Sequence, residues 1–324
     1  MHAVQARIES LHNIQAPLTK RADFDRFWDE ALRLCRERPF GGEKKPLDVL
    51  LNHTQAYRVS FEGYDGSLIV GWYMVPDRHP DRHHAPERFP CTVFFHGYPG
   101  DKGNPESYAH WLLMDMAVLV IDVRGQYGES ENRLPHNGFM MKGWYTQGIL
   151  DHHQSYYKAV SLDAVRALDW AASQPEVDAD RLVVYGGSQG GGLSLAASAL
   201  YGRPVAAIVA HVPHMCWMDF GIMHSTGSLS EPGQLASRYP DQLERILETL
   251  SYFDVMNLAD RIHSPVLMSV GLKDTVCWPE TIFAAYHRVA SHDKQLLVDP
   301  FAGHHINIGF VRKGLHFIRD RIRQ

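Results

Sequence analysis

Leu182-Val183-Val184-Tyr185-Gly186-Gly187-Ser188-Gln189-Gly190-Gly191 is an apolar run that stops at a glycine-flanked serine. It continues into Leu193-Ser194-Leu195-Ala196-Ala197-Ser198-Ala199-Leu200, which has the small, apolar composition of a closely packed helix. The order reads strand, sharp turn, helix, and residues 186–190 fit the G-x-S-x-G nucleophile elbow. In such a turn the serine takes a strained backbone conformation, and small neighbours let strand and helix approach each other. Ser188 is thereby lifted out of the sheet at a helix N-terminus, where unpaired N–H groups and the helix dipole favour the negative charge that builds up in acyl transfer. A bare G-x-S-x-G also arises by chance in glycine-rich turns. The β-rich run before it and the small-residue helix after it are the context that chance does not supply.

Around the elbow, from Cys91 onward, short buried strands alternate with longer helical segments, the signature of a parallel α/β sheet. Strands are expected at 91–95, 117–122, 182–185, 206–210, 266–270 and 295–298, and helices at 107–114, 156–173, 189–201, 279–289 and 306–321. Helix 156–173 reads as two-sided, with Val160, Ala164, Ala167, Leu168 and Ala171 facing in. Upstream, Phe24, Phe27, Trp28, Ala31, Leu32, Leu34 and Cys35 have helical spacing behind the possible cap Asp23. Two β-prone runs at 57–61 and 68–75 flank the turn-rich Gly63-Tyr64-Asp65-Gly66, so an antiparallel hairpin opens the sheet. Residues 211–250 break the alternation, and an insertion at the carboxyl end of a strand is where a cap over an active site lies. The reading is one domain over 1–324, a mostly parallel central sheet flanked by helices, with an N-terminal helix and hairpin and a cap-like insertion.

The 324 residues suffice for a sizeable core. A formal charge of −5 with scattered Lys and Arg lacks the clustering that a nucleic-acid groove needs. No segment approaches a membrane span, and Met1–Arg7 lacks the basic and apolar regions of a leader, so a soluble cytoplasmic protein is expected. The four cysteines, Cys35, Cys91, Cys216 and Cys277, are far apart without a C-x-x-C pair, so reduced, mostly buried thiols are expected. His79, His83 and His84 fall in the polar, proline-bearing stretch 76–90. An exposed loop is the preferred reading there, because nothing fixes a metal coordination geometry.

A nucleophilic serine needs a base to take its proton and a carboxylate to orient that base, in the order Ser, Asp or Glu, His. Asp274 stands just past the strand at 266–270, at its carboxyl end, as an orienting acid requires. Of the twenty histidines, His304 and His305 sit after the final strand and before the final helix. The preceding Gly303 favours His304, while spacing alone leaves His305 open. Two N–H donors are needed for the oxyanion: Gln189, the residue after the nucleophile, and a residue of the loop after Val93-Phe94-Phe95. Tyr98 is the best candidate, because preceding Pro99 restricts it to extended conformations. His96 reads as a structural histidine at a strand end, and Arg124 as a buried ion-pair partner that shapes its loop.

Together, Arg124-Gly125-Gln126, Gly187-Ser188-Gln189-Gly190-Gly191 and His304 resemble the three signature motifs of the cephalosporin C deacetylase and acetyl xylan esterase family, carbohydrate esterase family seven. The similarity runs from the Phe24–Trp28 helix through Gly148-Ile149-Leu150-Asp151 and Thr249–Asp254 to Phe283–Tyr286 and the histidine loop. The resemblance implies an α/β-hydrolase fold and a serine esterase without metal or cofactor. It implies removal of acetyl groups from small acetylated sugars and cephalosporin C, and a hexamer whose inward-facing sites exclude polymers. It also implies the roles of Ser188, Asp274, His304, Tyr98 and Gln189. The sequence departs from the family in Tyr127 for the usual Gly after Arg-Gly-Gln, in His305 for Glu, and in Cys277-Trp278-Pro279 for Cys-Pro-Pro. It keeps Pro213 and the Asp219-Phe220 pair but differs between them. Pro213, Trp217 and Trp278 are therefore expected at the substrate pocket, with the two tryptophans narrowing it. The competing readings are an esterase of longer acyl chains or a serine peptidase on the same fold, and a non-catalytic hydrolase-like binding protein.

Overall fold

The computed structural model describes residues 2–77, 87–136 and 138–323, so the histidines at 79, 83 and 84 lie outside the described residues. The chain opens with α1 (Ala3–His12) and α2 (Phe24–Glu37), followed by three strands, β1 (Glu43–Pro46), β2 (Thr54–Glu62) and β3 (Leu68–Pro76). After β4 (Phe89–Phe95) come the short α3 (Ala109–Leu112), β5 (Ala117–Ile121), α4 (Tyr156–Ala172), β6 (Val177–Gly187), α5 (Gln189–Leu200) and β7 (Ala207–His211). The interval up to the next strand holds α6 (Met218–His224), α7 (Ser230–Arg238) and α8 (Leu243–Phe253). The chain closes with β8 (Val266–Gly271), α9 (Pro279–Arg288), β9 (Lys294–Asp299) and α10 (Ile308–Ile322).

Among the described residues, the strands join one nine-stranded sheet in the order β1-β2-β3-β5-β4-β6-β7-β8-β9. The β1–β2–β3–β5 pairs are antiparallel, and every pair from β5–β4 to β8–β9 is parallel. Both faces of the sheet are covered, so its central strands are apolar throughout. Side chains alternate between two cores. Val93 and Phe95, Leu119 and Ile121, and Leu182 and Val184 point to the side of α2, α4, α5 and α9. Val118 and Val120, Val183 and Tyr185, and Ala207 and Val209 point to the side of Trp111 and of Phe317 and Ile318 in α10.

Three sequence expectations are corrected here. α4 is not two-sided: Tyr156, Tyr157, Ala159 to Leu168, Trp170 and Ala171 are all buried, because the helix is covered by α2 and α5 as well as by the sheet. Asp23 does not cap α2 with its side chain. Its carboxylate instead accepts a hydrogen bond from the Tyr252 hydroxyl, tying the helix start to α8. The helix expected at 107–114 is a 3-10 turn, Pro105–Tyr108, running into the four-residue α3. The amphipathic face of α2 buries Phe24, Phe27, Trp28, Ala31, Leu32 and Cys35, but Leu34, expected with them, is exposed, and the Trp28 indole N–H donates to the Tyr252 carbonyl at 3.0 Å. All four cysteines are free and buried. Among the described residues, no helix is long and apolar enough to cross a membrane.

Candidate active site

The elbow is built by close approach. Ser188 lies between β6 and α5 at φ 55° and ψ −121°, a conformation that L-residues occupy only under constraint. Its N–H donates to the His211 carbonyl at 2.9 Å, and its carbonyl accepts from Gly192 at 3.0 Å and His214 at 2.9 Å. Gly190 is obligatory here: a Cβ on it would sit 1.9 Å from the Phe95 carbonyl oxygen, so only glycine lets the helix reach β4. The chain therefore holds the strain with three backbone hydrogen bonds and tight packing, leaving the Ser188 hydroxyl projecting at the sheet's carboxyl edge.

Two other strand ends bring the partners. Asp274 follows β8 and is buried, with Oδ1 accepting from the amides of Val276 at 2.8 Å and Cys277 at 2.9 Å. Its Oδ2 lies 2.8 Å from His304 Nδ1, and His304 Nε2 lies 2.9 Å from Ser188 Oγ. His305, left open by spacing, is exposed and turned away from this chain of contacts, with its amide donating to the Gly303 carbonyl at 2.9 Å. The geometry is that of a hydroxyl, an imidazole that can take its proton, and a carboxylate that fixes the ring's tautomer and direction.

The two segments expected to hold an oxyanion flank the serine. Gln189 opens α5, and the first N–H groups of a helix have no partner within it. The loop after β4 passes so near that a Cβ on Gly97 would lie 3.7 Å from Ser188 Cβ, and Tyr98 borders the same cavity as Ser188. Gln126 joins these segments. Its Nε2 donates to Gln189 Oε1 at 3.0 Å and to the Tyr156 hydroxyl oxygen at 3.0 Å, and its Oε1 accepts from the Gly100 amide at 3.3 Å. The Arg-Gly-Gln triplet was visible in the sequence, but this bridging role was not, because it depends on three segments meeting. His96 is structural, as expected: Nε2 accepts from the Val123 amide at 2.9 Å, and Nδ1 meets the Gly97 carbonyl at 2.8 Å. Arg124 is fully buried between two carboxylates, with Nε 2.6 Å from Asp163 and Nη1 2.8 Å from Asp65.

Ser188 and His304 open into a cavity of about 730 Å³, whose walls include Tyr98, Tyr127 and Trp144 and, from the insertion, Thr226, Ser228, Glu231 and Gln234. Pro213, Trp217 and Trp278, expected to line this pocket, do not. Pro213 is buried against the first turn of α5, where a Cβ on Gly191 would come within 3.1 Å of its Cα. The Trp217 ring stacks on Phe220 at 4.6 Å and packs against the cluster of Ala16, Met256 and Ala284. The Trp278 indole N–H is held by the His224 carbonyl at 2.9 Å, at the C-terminal end of α6, and by the Thr275 carbonyl at 3.1 Å. The aromatic rings that do border the cavity, Tyr98, Tyr127 and Trp144, come from loops in the first half of the chain. Among the described residues, no group of three or more His, Cys, Asp or Glu is arranged to hold a metal ion.

Glu231 and Lys142 are titratable groups of this wall that sequence reasoning missed, and Glu231 is the buried one. Burial pushes its carboxyl up to about 7, while the Tyr98 hydroxyl, the Tyr145 amide and the charge of Lys142 pull the other way. The folded chain thus keeps a proton that the unfolded chain, near the ordinary value of 4.5, gives up first. This group's contribution to stability is complete below about pH 4.5 and is lost as pH rises toward 7. Glu231→Gln is therefore expected to gain on the wild type by about 2–3 kcal/mol between pH 5 and pH 8. Thermal unfolding of both proteins at the two pH values checks this, and a difference that does not change with pH contradicts it.

A mostly parallel sheet whose serine elbow follows β6, with an acid and a histidine delivered by the ends of β8 and β9, defines an α/β-hydrolase. Within that class the chain belongs to the acetyl xylan esterase (AXE1) family, whose model matches residues 1–320. An acetyl xylan esterase from Paenibacillus sp. R4 superposes with a TM-score of 0.92 at 38% identity, over 97% of this chain and 99% of that one. Acetyl xylan esterase 1 from Thermoanaerobacterium sp. JW/SL YS485 gives 0.89 at 30% identity, over 97% and 98%. The acetyl esterase Axe7A of Xylanibacter ruminicola is 33% identical over 162 residues, half of this chain and 36% of the length of that protein.

Proposed function

We propose that this protein is a serine esterase that removes acetyl groups from small acetylated sugars through an acyl-enzyme. The observation that carries the reading is the unbroken contact from Asp274 through His304 to Ser188 at the mouth of a cavity, in a chain of the acetyl xylan esterase family. Ser188 Oγ attacks the acetyl carbonyl while His304 Nε2 takes its proton, and Asp274 stabilises the imidazolium that forms. The N–H groups of Tyr98 and Gln189 receive the oxyanion. As the tetrahedral intermediate collapses, His304 returns the proton to the leaving alcohol oxygen. Water then gives a proton to the same imidazole and attacks the acetyl-serine ester, and the imidazole returns that proton to Ser188 Oγ as the acyl bond breaks and acetate leaves.

Acetylated xylo-oligosaccharides and cephalosporin C are the substrates this reading names, and a hexamer is its assembly. The four free, buried cysteines fit a reducing, cytoplasmic setting. The test is initial rates on p-nitrophenyl acetate, butyrate and octanoate beside acetate release from acetylated xylo-oligosaccharide. Acetate preference together with sugar deacetylation is the expected result. Preference for octanoate would overturn the acetyl reading and favour the long-chain alternative. Light scattering checks the assembly, and a monomeric mass would contradict the hexamer.

A further inference from the structure

Glu231, in the first turn of α7, is 8% exposed, yet it borders the cavity that holds Ser188 and His304. Its Oε1 accepts from the Tyr98 hydroxyl at 3.1 Å, and that same oxygen of Tyr98 accepts from the Trp144 amide at 2.9 Å. Gly143 makes this junction possible, since a Cβ there would fall 2.1 Å from the Tyr98 hydroxyl and 2.6 Å from Glu231 Oε1. The other oxygen, Oε2, is buried without a well-formed hydrogen bond, although the Tyr145 amide is near enough to act on the carboxyl's ionisation. A buried carboxyl oxygen short of a partner is costly unless something polar arrives to meet it.

On the same cavity, Tyr127 is 70% exposed, with its ring set edgewise to Trp144 at 6.4 Å and 75°. Trp144 in turn meets Tyr98 edgewise at 5.8 Å and 82°. The wall therefore pairs an open aromatic face with a carboxyl that has one of its two oxygens without a well-formed hydrogen bond, in a space of about 730 Å³ that an acetyl group alone does not fill. A sugar ring matches this pair: its C–H face covers an aromatic ring, and its hydroxyls satisfy a carboxyl. A simple alkyl alcohol has no hydroxyl left for the carboxyl once it is esterified.

We propose that Tyr127 and Glu231 form the subsite for the alcohol portion of the ester, built for one pyranose-sized polyol ring that stacks on Tyr127 and gives a hydroxyl to Glu231. The proposal rests on the esterase reading above and adds to it the residues that choose the alcohol.

The test compares kcat and KM on monoacetylated methyl xylopyranoside and on ethyl acetate for the wild type, Tyr127→Ala, Tyr127→Phe, Glu231→Leu and Glu231→Gln. The ratio of kcat/KM for the xyloside to that for ethyl acetate is expected to fall about five- to tenfold in Tyr127→Ala and Glu231→Leu, chiefly through KM. Tyr127→Phe, which keeps the ring, and Glu231→Gln, which keeps hydrogen bonding, are expected to restore it. An unchanged ratio in both truncated variants overturns the subsite. Equal losses on both esters in Glu231→Leu reduce Glu231 to a support for Tyr98 and overturn its part; if that variant does not fold, the Tyr127 pair decides alone. A wild type that turns over ethyl acetate and leaves the xyloside untouched removes the sugar reading and the subsite together. A wild type inactive on both and unlabelled by a fluorophosphonate removes the esterase itself.

Discussion

Ser188→Ala is expected to lower kcat by roughly 10⁴- to 10⁶-fold while leaving the fold intact. The size of the loss follows from the role proposed for the hydroxyl, which forms the acyl bond and meets His304 Nε2 at 2.9 Å. The fold is expected to persist because the elbow's backbone is held by other atoms. The amide and carbonyl of residue 188 keep their bonds to His211, Gly192 and His214, and the Gly190 approach to Phe95 does not involve the side chain. The hydroxyl's contact with His304 is partly buried, so its removal costs about 1 kcal/mol of stability at most. Steady-state rates with p-nitrophenyl acetate and a urea unfolding curve check the two halves separately. Turnover within tenfold of the wild type would contradict the assignment of the nucleophile.

The largest effect on stability is expected from Arg124→Met. The guanidinium is fully buried and reaches Asp163 through Nε and Nη2 at 2.6 and 2.9 Å, and Asp65 through Nη1 and Nη2 at 2.8 and 3.0 Å. Removing it strands the Asp163 carboxylate, itself buried in the middle of α4, without its counter-charge. Breaking one side of such a pair costs roughly 3–5 kcal/mol, far more than the intact pair contributes. Arg124→Met/Asp163→Leu, which removes both buried charges, is expected to recover a large part of that loss, so the urea midpoints of the two variants test the cause as well as the size. The Arg124 carbonyl also accepts from the Tyr156 hydroxyl at 2.7 Å, two residues before Gln126, which bridges the Gly100 loop and Gln189. Activity is therefore expected to fall with stability in Arg124→Met. Equal stability of Arg124→Met and the wild type would show that the ion pair is not the strut that its burial implies.

What the sequence discloses is what local chemistry writes into it. The elbow is legible because a strand, a serine between glycines and a small-residue helix are contiguous, and because Gly190 answers a clash of backbone with backbone. The central strands are legible because both faces are buried and their residues are apolar without interruption. Asp274 and His304 follow from their places after strands. The choice between His304 and His305 required coordinates, since adjacent residues in a loop differ only in where the chain turns. β1 carries no apolar alternation: Glu43-Lys44-Lys45-Pro46 is exposed and becomes a strand only through pairing with β2. α1 escaped notice for a related reason, since Leu11 is its only buried residue. The pocket was the least legible part. Trp217 and Trp278 stand out in sequence as large residues in unusual places, yet they are consumed by packing against Phe220 and by the His224 carbonyl. Glu231 and Tyr98, 133 residues apart, meet only because the insertion folds back over the loop after β4.

Ser188 is proposed as the nucleophile, activated by the folded arrangement around it. Fluorophosphonate labelling followed by peptide mass mapping tests it most directly. A single adduct on Ser188 is expected, forming as esterase activity disappears and not forming on urea-unfolded protein. An adduct on another residue, or none on the folded chain, would contradict it.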